Sequence, residues 1–279
     1  MTTVYPLVFR VGTFEVTGFG LMMMLAFVIG GWLVALEIRR RGWNEDYGAD
    51  MIVAAVIGGV IGAKLWYVAL TGDPGALLSR GGLVWYGGFL GGVLAVMLNG
   101  WRRKVPVRIT AHLAAPALAA AYAVGRVGCF VVGDDYGRPT TLPWAVKFPQ
   151  GLPPSTAANM QQQFGIAVPA GVDPSTVLAV HPTQLYEVTL MLAVFALLWR
   201  LRLRGRPIGW IFGIYLLSAG AERFIIEIFR AKDDRFFGPL TIAQVMSIIL
   251  MIGGTMVMTR LARGADIAPG DYLSRSTPA

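Results

Sequence analysis

At 279 residues, 55% hydrophobic and only 14% charged, the chain carries too little polar surface to coat a soluble globule of its size. Its formal charge of +8 does not point to nucleic acid: the basic residues stand in short clusters between apolar runs, the pattern of membrane topology signals, with phospholipid as the natural anionic partner. A lone cysteine, Cys129, excludes internal disulfides and multi-cysteine metal sites, and the two histidines are far apart in sequence, so neither a metal nor an organic cofactor is expected.

Residues 1–16 show no basic n-region and no small-residue cleavage site, which predicts no removable signal peptide. Apolar runs follow at 17–38, 49–70, 83–100, 107–132, 185–201, 208–229 and 240–259, most near the ~20 residues that cross ~30 Å of hydrocarbon. The expected fold is an all-α integral membrane protein with seven transmembrane helices. Residues 1–263 form the polytopic membrane domain, and 264–279 a short, disordered cytoplasmic tail. The third run is the weakest, being short and glycine-rich, although small residues let helix backbones approach closely in lipid. No internal repeat marks a transporter built from two halves.

Charge sets the orientation. Arg39 to Arg41, the group Arg102, Arg103, Lys104 and Arg108, then Arg200 to Arg206 and finally Arg260, Arg263 and Arg275 follow the first, third, fifth and seventh runs. These segments are expected to be cytoplasmic, which puts the N-terminus outside and the C-terminus inside. The long polar connection 133–184, rich in Pro, Gly, Gln and Thr, becomes a small extracytoplasmic head or lid, where a cysteine placed at Ser155 should be labelled from outside.

Four stretches carry chemistry. In GRVGCFVVGDDYGR, residues 125–138, Arg126 lies about a turn inside an apolar run and must either snorkel to water or neutralise an anion. An ordinary helix exit is the plain alternative. Gly125, Gly128, Gly133 and Gly137 permit the close backbone approach that a phosphate headgroup needs. In GAERFIIEIFR, residues 220–230, Arg223, Glu227 and Arg230 share one helix face and must point into a polar cavity or lock two helices together. Tyr86, Gly87 and Gly88 put an aromatic hydroxyl before paired glycines, and HPTQLYE, residues 181–187, opens the fifth run with His181. Arg138 falls outside the apolar runs and reads as solvent-reachable.

Together these stretches resemble the prolipoprotein diacylglyceryl transferase family, a group of bacterial membrane enzymes. The arginine and glycine motif, the HPTQLYE element and the GAERFIIEIFR helix are joined, in the right order, by GAKLWY at 62–67, the YGG at 86–88, and Ala115 and Pro116. The family commonly has histidine at Tyr86, asparagine at Cys129, tyrosine at Phe19 and Ala219, and aspartate at His112. The resemblance implies transfer of a diacylglyceryl group from phosphatidylglycerol to the lipobox cysteine of a prolipoprotein signal peptide, in the inner membrane, releasing glycerol phosphate. It assigns Arg126, Arg223 and Tyr86 to catalysis, and Arg126, Gly87, Gly88, Gly137, Glu227, Arg230 and His181 to phosphatidylglycerol. Cys129 is then a small buried residue rather than a nucleophile. The departures leave the proton acceptor open. They also keep two alternatives in view, a transporter or channel for an anionic lipid or metabolite, and a paralogue with another acceptor.

Overall fold

The structure, a computed structural model, describes residues 7–11, 14–78, 82–231, 235–260 and 270–274. Arg80, Lys232, Arg263, Arg275 and most of the expected tail lie outside the described residues. The long helices are α1 (Gly18–Arg40), α2 (Asp46–Thr71), α3 (Trp85–Arg102) and α4 (Val107–Val132), then, after a short α5 (Ala157–Gln162), α6 (Thr183–Leu201), α7 (Trp210–Phe229) and α8 (Ile242–Thr259). Each long helix coincides with one apolar run. Five of them, α1, α2, α4, α6 and α8, are long and apolar enough to cross a membrane. In α3 glycines and Arg102 dilute the hydropathy, and α7 carries Glu222, Arg223 and Glu227. The outer faces of α1, α2 and α3 expose Val28, Trp32, Ile57, Leu65, Phe89 and Leu94, as lipid-facing helices do.

Local chemistry sets the helix ends. Thr17 caps α1 by accepting from the Gly20 N–H at 3.0 Å, and Thr241 with Gln244 closes a reciprocal capping box on α8. At the other end of α4, Gly133 takes the left-handed conformation (φ 68°) and turns the chain back over the helix. Small residues bring α2 and α3 together: a Cβ at Gly87 would strike the Gly62 carbonyl and Trp66, and one at Gly91 would strike Gly58. Gly87 and Gly88 therefore serve a helix crossing. The main core packs Leu33, Val34, Ile38, Tyr47, Met51, Ile109 and Leu113 where α1, α2 and α4 meet.

Several features were not legible in the sequence. An N-terminal hairpin pairs β1 (Leu7–Val11) with β2 (Phe14–Thr17). In the 133–184 segment, β3 (Val146–Lys147) pairs with β4 (Ala179–Val180) over a core of Tyr136, Phe148, Met160 and Val180. A last hairpin, β5 (Arg235–Phe237) with β6 (Leu240–Thr241), precedes α8. Ser155, expected to be labelled from outside, is 0% exposed and bonds the Phe148 N–H and the Leu178 carbonyl, so a thiol there would be shielded. The tail is also corrected in part: α9 (Asp271–Ser274) is a packed turn, with Leu273 buried in the main core and the Tyr272 hydroxyl 3.1 Å from Asp50.

Candidate active site

The site is built where the C-terminal end of α4 meets the start of α6 and the end of α7. Gly133 reverses the chain, and Asp135 adopts a left-handed conformation (φ 56°), which an aspartate tolerates better than most residues. Two side chains anchor that turn: Thr183 Oγ1 donates to the Asp135 carbonyl at 2.7 Å and Gln184 Nε2 to the Asp134 carbonyl at 2.5 Å. The strap then crosses both neighbouring helices. The Gly137 N–H donates to the His181 carbonyl at 2.8 Å and the Arg138 N–H to the Phe229 carbonyl at 2.8 Å. A Cβ at Gly137 would lie 2.5 Å from the Phe229 carbonyl oxygen and 2.7 Å from His181 Cβ, so only glycine fits this crossing.

Three arginines converge under this strap. Arg126, buried on α4, donates from Nη1 to Asp135 Oδ2 at 3.0 Å, and its Nη2 forms an ion pair with Glu187 Oε2 on α6. Arg223 on α7 donates to Glu227 Oε2 at 2.5 Å and lies 3.8 Å from Glu187 Oε1, which also accepts from the Tyr122 hydroxyl at 3.3 Å. Arg230, just past α7, reaches Asp135 Oδ1 at 2.5 Å. Buried charges of this kind persist only when paired, and here each arginine has a carboxylate. Yet the pairing is incomplete. Nε of Arg126, Nε of Arg230, Oε1 of Glu227 and Oε1 of Glu222 are buried without a hydrogen-bond partner among the described residues. The unpartnered Nε atoms belong to Arg126 and Arg230, the two arginines that hold Asp135, whose carboxylate is 42% exposed.

The acids outside the helices respond to this setting. Burial and the neighbouring Asp135 push the Asp134 carboxyl up to about 6. The protein packed around Asp135 partly desolvates it, which would raise it as well, but the guanidiniums of Arg230 and Arg126 hold it well below the usual carboxylate range. Cys129, Asp134 and Asp135 place three donor atoms within 4.8 Å, the spacing a metal ion could use. Two guanidiniums already hold Asp135, so a cation there would meet their repulsion.

Of the residues singled out in the sequence, Arg126, Arg223, Glu227 and Arg230 come together in one network, with Gly137 in the strap above them. His181 stands at the edge, its Nδ1 3.1 Å from the Tyr186 hydroxyl, which accepts from Trp144 Nε1 at 2.7 Å. Burial lowers the pKa of His181. Tyr86 is not in the network: it is 63% exposed on α3 and packs edge-on to Trp85. Arg138, expected to be solvent-reachable, is half-buried and donates from Nε to the Arg230 carbonyl at 3.1 Å. Cys129 is buried, 3.4 Å from Arg126 Nη1. The sequence reading missed Glu187, Asp135, Tyr122 and Glu222 as members of the cluster. Charge balance was the available signal, since three arginines in apolar surroundings require acids nearby.

Fold and site together define a mostly helical membrane protein with a buried arginine cluster. A family model described as prolipoprotein diacylglyceryl transferase matches residues 6–260. Phosphatidylglycerol–prolipoprotein diacylglyceryl transferase of Bordetella avium is 32% identical over 281 residues, covering 95% of this chain and 97% of its own length. The enzymes of that name from Cupriavidus metallidurans and Pseudoalteromonas translucida are 31% and 29% identical, covering 93% and 89% of this chain and 94% and 90% of their own. The chain belongs to the prolipoprotein diacylglyceryl transferase family.

Proposed function

We propose that this protein is a transferase of the bacterial inner membrane that moves the diacylglyceryl group of phosphatidylglycerol onto the lipobox cysteine thiol of a prolipoprotein signal peptide. The observation that carries the reading is the arginine cluster with unfilled donors, set in a chain whose relatives carry that name over nearly their whole length. The phosphate of phosphatidylglycerol takes the place Asp135 holds against Arg126 and Arg230, with Arg223 alongside. The thiolate attacks the glyceryl carbon that bears the phosphate. A carbon–sulfur bond forms, the carbon–oxygen bond breaks, and glycerol phosphate leaves with the electron pair. Charge grows on the leaving phosphate, and pre-positioned guanidiniums in a water-poor site stabilise that growth more than water would. Glu187 and Glu227 hold Arg126 and Arg223 in position, and Gly137 lets the strap carry Asp135 over them.

The same reading sets α1 to α4 and α6 to α8 as seven spans, with the N-terminus outside, the C-terminus inside and the 133–184 segment outside. Clusters of arginine after α1, α3, α6 and α8 support that orientation. A cysteine at exposed Gln162, in a Cys129→Ser background, should react with an impermeant thiol reagent in intact spheroplasts; reaction only after lysis would invert the topology. The decisive experiment incubates purified protein with phosphatidylglycerol and a lipobox peptide and looks for the diacylglyceryl thioether by mass spectrometry. An adduct supports the transferase. Lipid movement between vesicles with no adduct would replace it by transport.

A further inference from the structure

The thiol of the acceptor must lose a proton, and the cluster contains one buried carboxylate that the phosphate-binding arrangement leaves unused. Glu222 on α7 is 5% exposed and, among the described residues, makes no hydrogen bond or ion pair. Its burial therefore does nothing for the pairing of the arginines. An unpaired acid in such surroundings is costly to keep, and it marks a functional position more often than a structural one.

Its neighbours define what it can do. The carboxylate interacts electrostatically with Glu187 on α6, Arg126 on α4 and Arg223 beside it on α7, and with the hydroxyls of Tyr122 and Tyr215. Helix α8, packed on another side of α7, carries no titratable residue over Ile242–Thr259. Tyr215 and Ala219 precede Glu222 by seven and three residues and lie on the same face, and Ala219 leaves that face free of bulk between the tyrosine and the acid. Glu187 and Glu222 thus form a pair of unlike carboxylates: one is held by Arg126 and Arg223 and bonded by Tyr122, and the other has an open acceptor oxygen. Environments that differ in this way separate an anchoring acid from a proton-carrying one.

The geometry points to Glu222 as the group that accepts the proton of the substrate thiol, a role resting on the transferase reading above. The S–H proton passes to the Glu222 carboxylate as sulfur bonds to the glyceryl carbon, and the proton is then released to the departing glycerol phosphate or to water. The carboxylate ends each turnover in the state in which it began.

The test compares thioether formation by wild type, Glu222→Gln and Glu222→Asp between pH 6 and pH 9, with phosphatidylglycerol retention by each purified protein measured beside it. Glu222→Gln should lose roughly 10²-fold in rate near pH 7. The deficit should shrink toward pH 9, where a thiol of pKa ~8.5 ionises unaided. Lipid retention should be unchanged, because the arginines remain, and Glu222→Asp should recover part of the rate. A Glu222→Gln variant with the wild-type rate and pH profile would overturn the assignment. So would a loss of equal size at every pH, which marks a structural residue. If wild type itself forms no thioether, the transferase reading fails, a result distinct from either of these.

Discussion

Two buried ion networks sit at opposite ends of α4, and they are built on opposite logic. At the His112 end, Glu37 of α1 is 3% exposed and receives Arg40 from its own helix and Arg41, just past it, at 2.7 Å and Arg202, just past α6, at 3.0 Å. Arg41 also reaches His112 Nε2 at 2.7 Å, and Arg202 stacks 3.5 Å over Trp199. Neither oxygen of Glu37 is left without a partner, and in this network only Arg202 Nε is buried without one among the described residues. Fourteen residues on, about 21 Å along the helix, the Arg126 network leaves buried donors and acceptors unmade and holds its arginines partly through Asp135, which is open to solvent. A carboxylate saturated by guanidiniums ties helices together. An unsaturated set of guanidiniums has capacity for a ligand. On the transferase reading, this contrast gives the Glu37 end of the helix a structural part and the Arg126 end the phosphate.

The largest effect should come from breaking the network around Glu37, whose carboxylate is fully paired. Glu37→Gln strands three guanidiniums in a buried site and should cost about 3–5 kcal/mol of stability, read from the midpoint of a denaturant titration in detergent, while the thioether rate per folded molecule stays near wild type. Unchanged stability would remove the contrast. At the other end the pattern should reverse: Arg126→Lys and Arg223→Lys each lower the rate by about 10² to 10³, since lysine keeps the charge but loses the planar fork of donors, with a smaller change in the unfolding midpoint. Rates near wild type would make these arginines structural, like those around Glu37.

Gly137→Ala sharpens the comparison from the side of the strap. The added Cβ must push against the Phe229 carbonyl and His181, at about 1–3 kcal/mol of overpacking. We expect about a tenfold lower rate, because Asp135 and Arg230 are displaced together; a rate within twofold would show that the strap yields without moving them. A smaller effect follows from Asp134. Its pKa of about 6 lies above its unfolded value of 3.8, so it gains a proton as pH falls from 7 to 5, and the cluster becomes more positive over that window. Phosphatidylglycerol, whose phosphodiester does not titrate there, should bind a few-fold more tightly at pH 5 than at pH 7. Asp134→Asn should flatten that dependence, measured by lipid retention. The same upward shift adds stability below about pH 4 that is lost as pH rises through 6. Cys129→Ser should change the rate least, by less than about twofold, since the buried thiol faces Arg126 but the reacting sulfur belongs to the substrate.

The sequence by itself determined the long helices, because an apolar run of about twenty residues has few other ways to satisfy its backbone in a bilayer. It also singled out Arg126, Arg223, Glu227 and Arg230, since charge in apolar surroundings is conspicuous at the level of residue type alone. Only the tertiary structure decided the partners. Asp135 and Glu187 meet Arg126 because Gly133 and Gly137 fold the strap back over two helix ends, a long-range arrangement that no local pattern encodes. Tyr86 shows another limit: residue order does not reveal that its paired glycines form the α2–α3 crossing or that the tyrosine faces outward beside Trp85. Glu222 was silent in the sequence, one more acid beside an arginine. Burial without a partner becomes visible only when α4, α6 and α7 are brought together, since both burial and pairing are properties of packing rather than of residue order.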